Sequence, residues 1–197
     1  MEGLIFGAYV RPIEGESVSG DAYLIREIRD GWLIALADGL GHGLAAAEAS
    51  GKALSIIDAY VSEPGSEVDL RDVLRLCHDG LVGTRGAVIG FCHLNLKDGV
   101  WSSLVVGNIT FRVLSDERLS PIPAGGIVGY KLPRMVHIAK WPYCEGDTLI
   151  LHTDGIREDC SIDFLAGDVG LPVQQAAELI GKKCGIKTDD ATIIIGR

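Results

Sequence analysis

Two apolar stretches of this chain end in the same dipeptide. Leu33-Ile34-Ala35-Leu36-Ala37 runs into Asp38-Gly39-Leu40-Gly41-His42-Gly43, and Leu149-Ile150-Leu151-His152-Thr153 runs into Asp154-Gly155. A buried strand that delivers a carboxylate at its end puts negative charge where a ligand can reach it. Two more acidic positions join them, Asp21 before one apolar-alternating stretch and Asp189-Asp190 before another. In an antiparallel sheet the end of one strand lies beside the start of its neighbour, so all four sites can share one edge of the fold. Packed there without a counter-charge, carboxylates repel one another and hold their pKa values up, a conflict that a divalent cation removes. With no His or Cys at matching spacing, the ligand set suits hard ions such as Mg²⁺ or Mn²⁺ that retain several waters, and zinc fits it less well. Two such ions, roughly 3.5 to 4 Å apart, would lower the pKa of a bridging water and aim it at phosphorus. That is chemistry for hydrolysing a phosphate ester.

The glycines at 39, 41 and 43 allow backbone and solvent to approach an ion closely, and the start of the following helix offers unpaired N–H groups to an anion. Any one Asp-Gly is more often a plain turn. The combination of four acidic sites is what points to a metal centre. A competing reading of Gly39-x-Gly41-x-Gly43 is a dinucleotide-binding turn, but that fingerprint requires GxGxxG, and Asp38 would stand where a pyrophosphate must sit.

The elements that must hold these residues can be read from periodicity. Apolar alternation predicts strands over residues 3–10, 22–28 and 32–37, the last two joined by Arg29-Asp30-Gly31, a hairpin signal. Leu44, Ala47, Leu54, Ile57 and Val61 recur at helical spacing from 43 to 61, and Glu63-Pro64-Gly65-Ser66 stops that helix. A second helix covers 68–81. Residues 87–96, 101–106 and 110–114 form a β-meander, 120–129 a loop rich in proline and glycine, and 134–138 a strand. Residues 147–152 are another strand, 161–170 is ambiguous, 172–183 a helix opened by Pro172, and 191–195 the last strand. Strands in runs with helices segregated between them favour an α+β fold with antiparallel sheets.

Composition narrows the class. At 197 residues, 47% of them hydrophobic, the chain suits one domain spanning 1–197. No run approaches the roughly 20 apolar residues of a membrane helix, and the N-terminus lacks the pattern of a secretory signal. Five widely spaced cysteines with no CxxC pair argue against a disulfide framework or a zinc ribbon, so a soluble, reduced, cytoplasmic protein is expected. The formal net charge of −9, from 27 acids and 18 bases without a basic cluster, argues against nucleic acid as a partner. An anionic substrate must then be drawn by a local cation.

Ser19-Gly20-Asp21, the Asp38 to Gly43 turn, His152-Thr153-Asp154-Gly155 and Thr188-Asp189-Asp190-Ala191-Thr192 stand in the order and approximate spacing of the metal-dependent PP2C-like (PPM) serine/threonine phosphatases. The chain most resembles their bacterial sporulation-stage-II-E branch, and its compact length is similar to the RsbX-type stressosome phosphatases. The resemblance implies a four-layer αββα sandwich of two antiparallel sheets flanked by helices, with two Mn²⁺ or Mg²⁺ ions at one end. It implies that Asp38 bridges both ions, that the Gly39 carbonyl binds one, and that Asp154 and Asp189 complete the other shell. Asp21 would ligate directly or through water. Asp190 falls where many relatives have Asn, which makes Asp189 the first choice of the two.

The general-acid histidine of eukaryotic relatives has Leu40 in its place; His42, two residues on, is the candidate proton donor to the leaving oxygen, against a role in capping or packing. His152 reads as structural. Arg11 is the only candidate for the arginine that clamps phosphate. The chain is short for a flap insertion, which implies an open cleft suited to a protein surface. The implied activity is hydrolysis of phosphoserine and phosphothreonine on partner proteins by direct attack of metal-activated water, the partners including stressosome scaffold and switch proteins. A monomer with no membrane partner is expected. The rivals are a non-catalytic phosphoprotein-binding regulator on the same fold and a small-molecule phosphohydrolase.

Overall fold

The computed structural model describes residues 4–62, 67–115, 118–167 and 170–197. Three strands come first, β1 (Phe6–Arg11), β2 (Asp21–Ile28) and β3 (Gly31–Gly39), followed by helices α1 (Leu44–Ser62) and α2 (Leu70–Leu81). The meander is β4 (Ala87–Asn95), β5 (Val100–Val106) and β6 (Thr110–Leu114). After it come β7 (Arg118–Leu119), β8 (Ala139–Pro142), β9 (Thr148–His152), α3 (Ile162–Ala166), α4 (Val173–Cys184) and β10 (Ala191–Gly196). The stop signal at 63–66 and residue 3 of the first expected strand lie outside the described residues.

These strands form two antiparallel sheets, ordered β2-β3-β4-β5-β8 and β1-β10-β9-β6-β7. Side chains alternate across each strand, so each sheet has an inner and an outer face. Ile34, Leu36, Leu94 and Val105 of one sheet meet Phe111, Val113, Leu151 and Ile194 of the other in a fully enclosed core. The outer face of the first sheet, with Leu33, Ala35, Ala37 and Phe91, packs against Ala49, Ala53, Ile57, Val73 and Cys77 of α1 and α2. Ile150, Ile193 and Ile195 pack against Ala176, Ala177 and Ile180 of α4, with Ile162 of α3. Three cores between four layers give the αββα sandwich, each buried large aliphatic contributing roughly 1.5–3 kcal/mol by leaving water. Among the described residues no helix is long and apolar enough to cross a membrane.

Three expectations change. Residues 134–138 are not a strand: Val136 and Ile138 lean on the outer core without a ladder, and pairing with β5 starts only at Ala139. Alternation there marks which side is buried and not which backbone is paired. Helix α1 buries Ala46, Ala49, Ser50, Ala53, Leu54 and Ile57, and Leu44 is exposed; small residues form its sheet-facing side because the helix lies close to β3. Cys160 and Cys184, 24 residues apart, are joined in a disulfide that ties the segment after Asp154 to the end of α4, whereas Cys77, Cys92 and Cys144 are free. Within the ambiguous stretch, Ile162–Ala166 is helical.

Candidate functional site

The two Asp-Gly steps reach the same end of the sandwich. Strand β3 is apolar and buried along nearly its whole length because it is central in its sheet, and it surrenders its last two positions to Asp38 and Gly39. Gly39 is required there by α1: a Cβ would come within 2.1 Å of the Ala46 carbonyl oxygen. Gly155 is its counterpart in the other sheet, where a Cβ would lie 1.8 Å from the Asp190 carbonyl. At both positions the missing Cβ makes room for protein backbone. Each lets a neighbouring segment close down beside an aspartate.

Register and a hydroxyl bridge bring the carboxylates together. Asp21 opens β2 directly across from Asp38. The Thr153 hydroxyl donates to Asp21 Oδ2 at 2.9 Å and accepts from the Thr192 amide at 3.0 Å, so one side chain ties the two sheets beneath the site. Asp38, Asp154 and Asp189 line an open cleft of about 480 Å³, walled by Ile13, Leu40, Val88 and Ile127 and shared with His42, Asn108 and Thr188. Asn108, in the turn between β5 and β6, donates from Nδ2 to Asp154 Oδ2 at 2.6 Å and fixes that carboxylate.

The adjacent aspartates 189 and 190 part company. Asp190 is buried, accepting from the amides of Ile13 at 2.9 Å and Gly20 at 3.0 Å, and so pins the loop before β2. Asp189 faces the cleft, with Oδ1 accepting from the Asp190 amide at 2.9 Å. Arg11 does not line the cleft; its guanidinium donates to the carbonyls of Ile186 and Asp189, supporting the loop that carries Asp189.

His42 lies at the cleft, its Nδ1 donating to Glu16 Oε1 at 3.0 Å with both groups well exposed. The same Glu16 carboxylate sits about the start of α1, 3.2 Å from where a Cβ on Gly43 would be, a placement the helix dipole favours. His152 is fully buried, with Nδ1 donating to the Thr153 carbonyl, and burial holds its pKa down.

Electrostatics at the cleft are those of an uncompensated acidic cluster. Burial first, then the neighbouring Asp21 and Asp154, push Asp38 up to about 8. Asp21 rises to about 7, chiefly through burial. Asp189 is also raised, by burial and then by Asp154. Asp21 Oδ1 is buried and has no hydrogen-bond partner, a cost that a charged partner would relieve. Among the described residues no group of three or more His, Cys, Asp or Glu side chains stands close enough, as placed, to hold a metal ion without rearrangement. The carboxylates of Asp38, Asp154 and Asp189 that line the open cleft are hard oxygen donors, and that chemistry suits a divalent ion that keeps several waters.

A family profile described as Stage II sporulation protein E (SpoIIE) matches residues 29–197. The chain belongs to the SpoIIE family. Phosphoserine phosphatase RsbX of Bacillus subtilis (strain 168) is 27% identical to this SpoIIE-family chain over 186 residues, covering 93% of the chain and 89% of RsbX. A structure described with the bacterial stressosome, a modular system adapted to control secondary messenger signalling, is 36% identical, with a TM-score of 0.92 and complete coverage of both chains. The crystal structure of RsbX in complex with magnesium is 26% identical, with a TM-score of 0.85, over 100% of this chain and 96% of that one.

Sequence reasoning missed Asn108, Thr153 as a bridge, and Glu16. Gly107-Asn108 reads as an ordinary turn of the meander, and Glu16 as part of a polar loop. Only the folded chain puts Asn108 on Asp154, Thr153 on Asp21 and Glu16 on His42.

Proposed function

We propose that this chain is a metal-dependent protein serine/threonine phosphatase whose substrates are phosphorylated stressosome scaffold and switch proteins. The observation that carries the reading is that Asp38, Asp154 and Asp189 line one open cleft, with Asp21 paired in register with Asp38. Membership of the SpoIIE family and likeness to a phosphoserine phosphatase support it. Asp38, Asp154, Asp189, Asp21 and the Gly39 carbonyl would hold two Mn²⁺ or Mg²⁺ ions; when bound, the ions supply charge neutralisation and an acidified water as nucleophile.

The chain's own groups do the rest. Asn108 holds Asp154 in orientation, and Thr153 fixes Asp21. His42, oriented through Nδ1 by Glu16, delivers a proton to the departing serine or threonine oxygen from its other ring nitrogen. The apolar wall of Leu40, Val88 and Ile127 keeps one side of the cleft dry, and its openness admits a side chain carried on a protein.

The test is hydrolysis of p-nitrophenyl phosphate and of a phosphoserine protein by the purified chain, with and without Mn²⁺. Activity should need the ion, vanish with a chelator, and be lost in Asp38→Asn while circular dichroism reports an intact fold. Turnover that survives both chelator and substitution would contradict the assignment. Tight phosphoprotein binding without turnover in saturating Mn²⁺ would identify a binding regulator instead.

A further inference from the structure

We propose that the flank of the cleft made by Arg85 and residues 124–137, the part of an acid-free run that leads out from the cleft, is a docking surface for an acidic stretch of the phosphoprotein beside its phosphorylated residue. This rests on the phosphatase reading and adds to it the chemistry of the chain that is recognised. The chain carries 27 acids and a net charge of −9, yet from Arg118 to Cys144 it has no Asp or Glu, while Arg118, Lys131, Arg134, Lys140 and His137 fall within that run. Lys131, Arg134, His137 and Lys140 are all exposed.

Backbone contacts lead this segment out from the lip of the cleft. Ile127 lines the cleft and closes on Lys131 through reciprocal bonds of 2.9 and 2.8 Å. The next residue, Val128, exchanges backbone bonds of 2.8 and 3.0 Å with Ala87. Arg85 arrives from the other side, in the loop between α2 and β4, with Nη1 3.5 Å from the Leu40 carbonyl. Leu40 in turn donates its amide to Gly86 at 3.0 Å, and a Cβ on Gly86 would meet Ile127 Cγ2 at 2.8 Å. Both Arg85 and Lys131 thus neighbour residues that touch the lip. Farther out, Leu132, Val136 and Ile138 lean on the core, leaving Arg134, Met135 and His137 outward.

The charges of this flank are available. The α2 carboxylates Asp72 and Asp79 are taken up by Arg75. None of the ion pairs among the described residues engages Arg85, Lys131, Arg134 or Lys140. In a molecule whose overall field repels anions, such a local stretch is where an anionic partner gains by approaching. Tyr130, Met135 and Ile122 are interleaved with the bases and are 79%, 74% and 78% exposed. Aromatic and methionine side chains mixed with arginine favour contact with another protein over capture of a small phosphate ester.

The experiment compares two phosphoserine peptides identical except for their flanks, glutamates in one and lysines in the other, with the full chain and Mn²⁺. The readout is the ratio of their kcat/KM values, which cancels any general loss of activity. The acidic peptide should be favoured roughly tenfold at low ionic strength, the preference shrinking as salt is added. Arg85→Glu with Lys131→Glu should abolish or invert the ratio. Lys131→Glu with Arg134→Glu, which leaves the Arg85 contact to Leu40 intact, should do so in part. Equal turnover of both peptides by the native chain, or an acidic preference that both variants keep, overturns the docking surface and leaves the phosphatase reading standing. Absence of turnover on the peptides and on p-nitrophenyl phosphate alike overturns both.

Discussion

Asp189 and Asp190 are adjacent in sequence, identical in chemistry and different in place, the first at the cleft and the second buried just before β10. Asp190 satisfies two amides that would otherwise be left without partners, those of Ile13 and Gly20. Asp189 keeps its carboxylate at the cleft. Asp190→Asn replaces one acceptor oxygen by a donor, so one of the two amides loses its bond, at roughly 1–3 kcal/mol of stability. Asp189→Asn should leave the melting temperature of the metal-free protein close to native and weaken Mn²⁺ binding measured by calorimetry. The reverse outcome, Asp190→Asn weakening the metal while Asp189→Asn unfolds the chain, would exchange their assignments. At this scale the sequence was informative about types and poor about company. Four acidic positions and a histidine could be singled out from Asp-Gly steps and strand ends, but hydrogen-bond partners such as Asn108 and Glu16 come from loops whose course no periodicity reports.

Strands and helices were legible wherever burial imposes a period. The β2–β3 hairpin follows from Asp30-Gly31, and α2 shows an apolar face of Leu70, Val73, Leu74, Cys77 and Leu81 against charged outer positions. Legibility failed where burial occurs without a ladder, as at 134–138, and where close approach replaces bulk, as along α1. The pairing of Cys160 with Cys184, 24 positions on, was also invisible, since the residues between them carry no record of being folded back by α3 and α4. The α1–β3 contact gives a test at this scale. Gly39→Ala places a methyl group against the Ala46 backbone, which cannot retreat as a flexible side chain would. It should destabilise by about 1–3 kcal/mol, as overpacking does, and shift α1 away from the cleft. Gly51→Ala, in the same helix with open space around its Cβ position, should stabilise by about 0.5–1 kcal/mol. Chemical denaturation of both variants checks the pair; equal effects would mean that α1 does not bear on Gly39.

Across the whole molecule the site is a concentration of charge that the fold holds together at an energetic disadvantage. Burial and the facing carboxylates raise Asp38 to about 8, and burial raises Asp21 to about 7, whereas unfolded aspartates release their protons near pH 4. Between about pH 4 and 8 these two aspartates therefore bind more protons in the folded, metal-free chain than in the unfolded one, and their contribution to stability falls as pH rises; buried His152 and partly buried His93, with lowered pKa values, counter the aspartates only below about pH 6.5. A divalent cation acts in the opposite sense, because it binds the carboxylates in their ionised form and competes with protons for them. In a chelator, the melting temperature should decline from about pH 6.5 to about pH 8.5, and Asp38→Asn, which removes the most shifted group, should flatten the decline. Added Mn²⁺ should raise the melting temperature more at the alkaline end than at the acid end. A metal-free stability that climbs over this range, or an equal increment from Mn²⁺ at both ends, would be incompatible with carboxylates packed as these are. The slope and the metal increment share one cause, so Asp38→Asn should diminish both together.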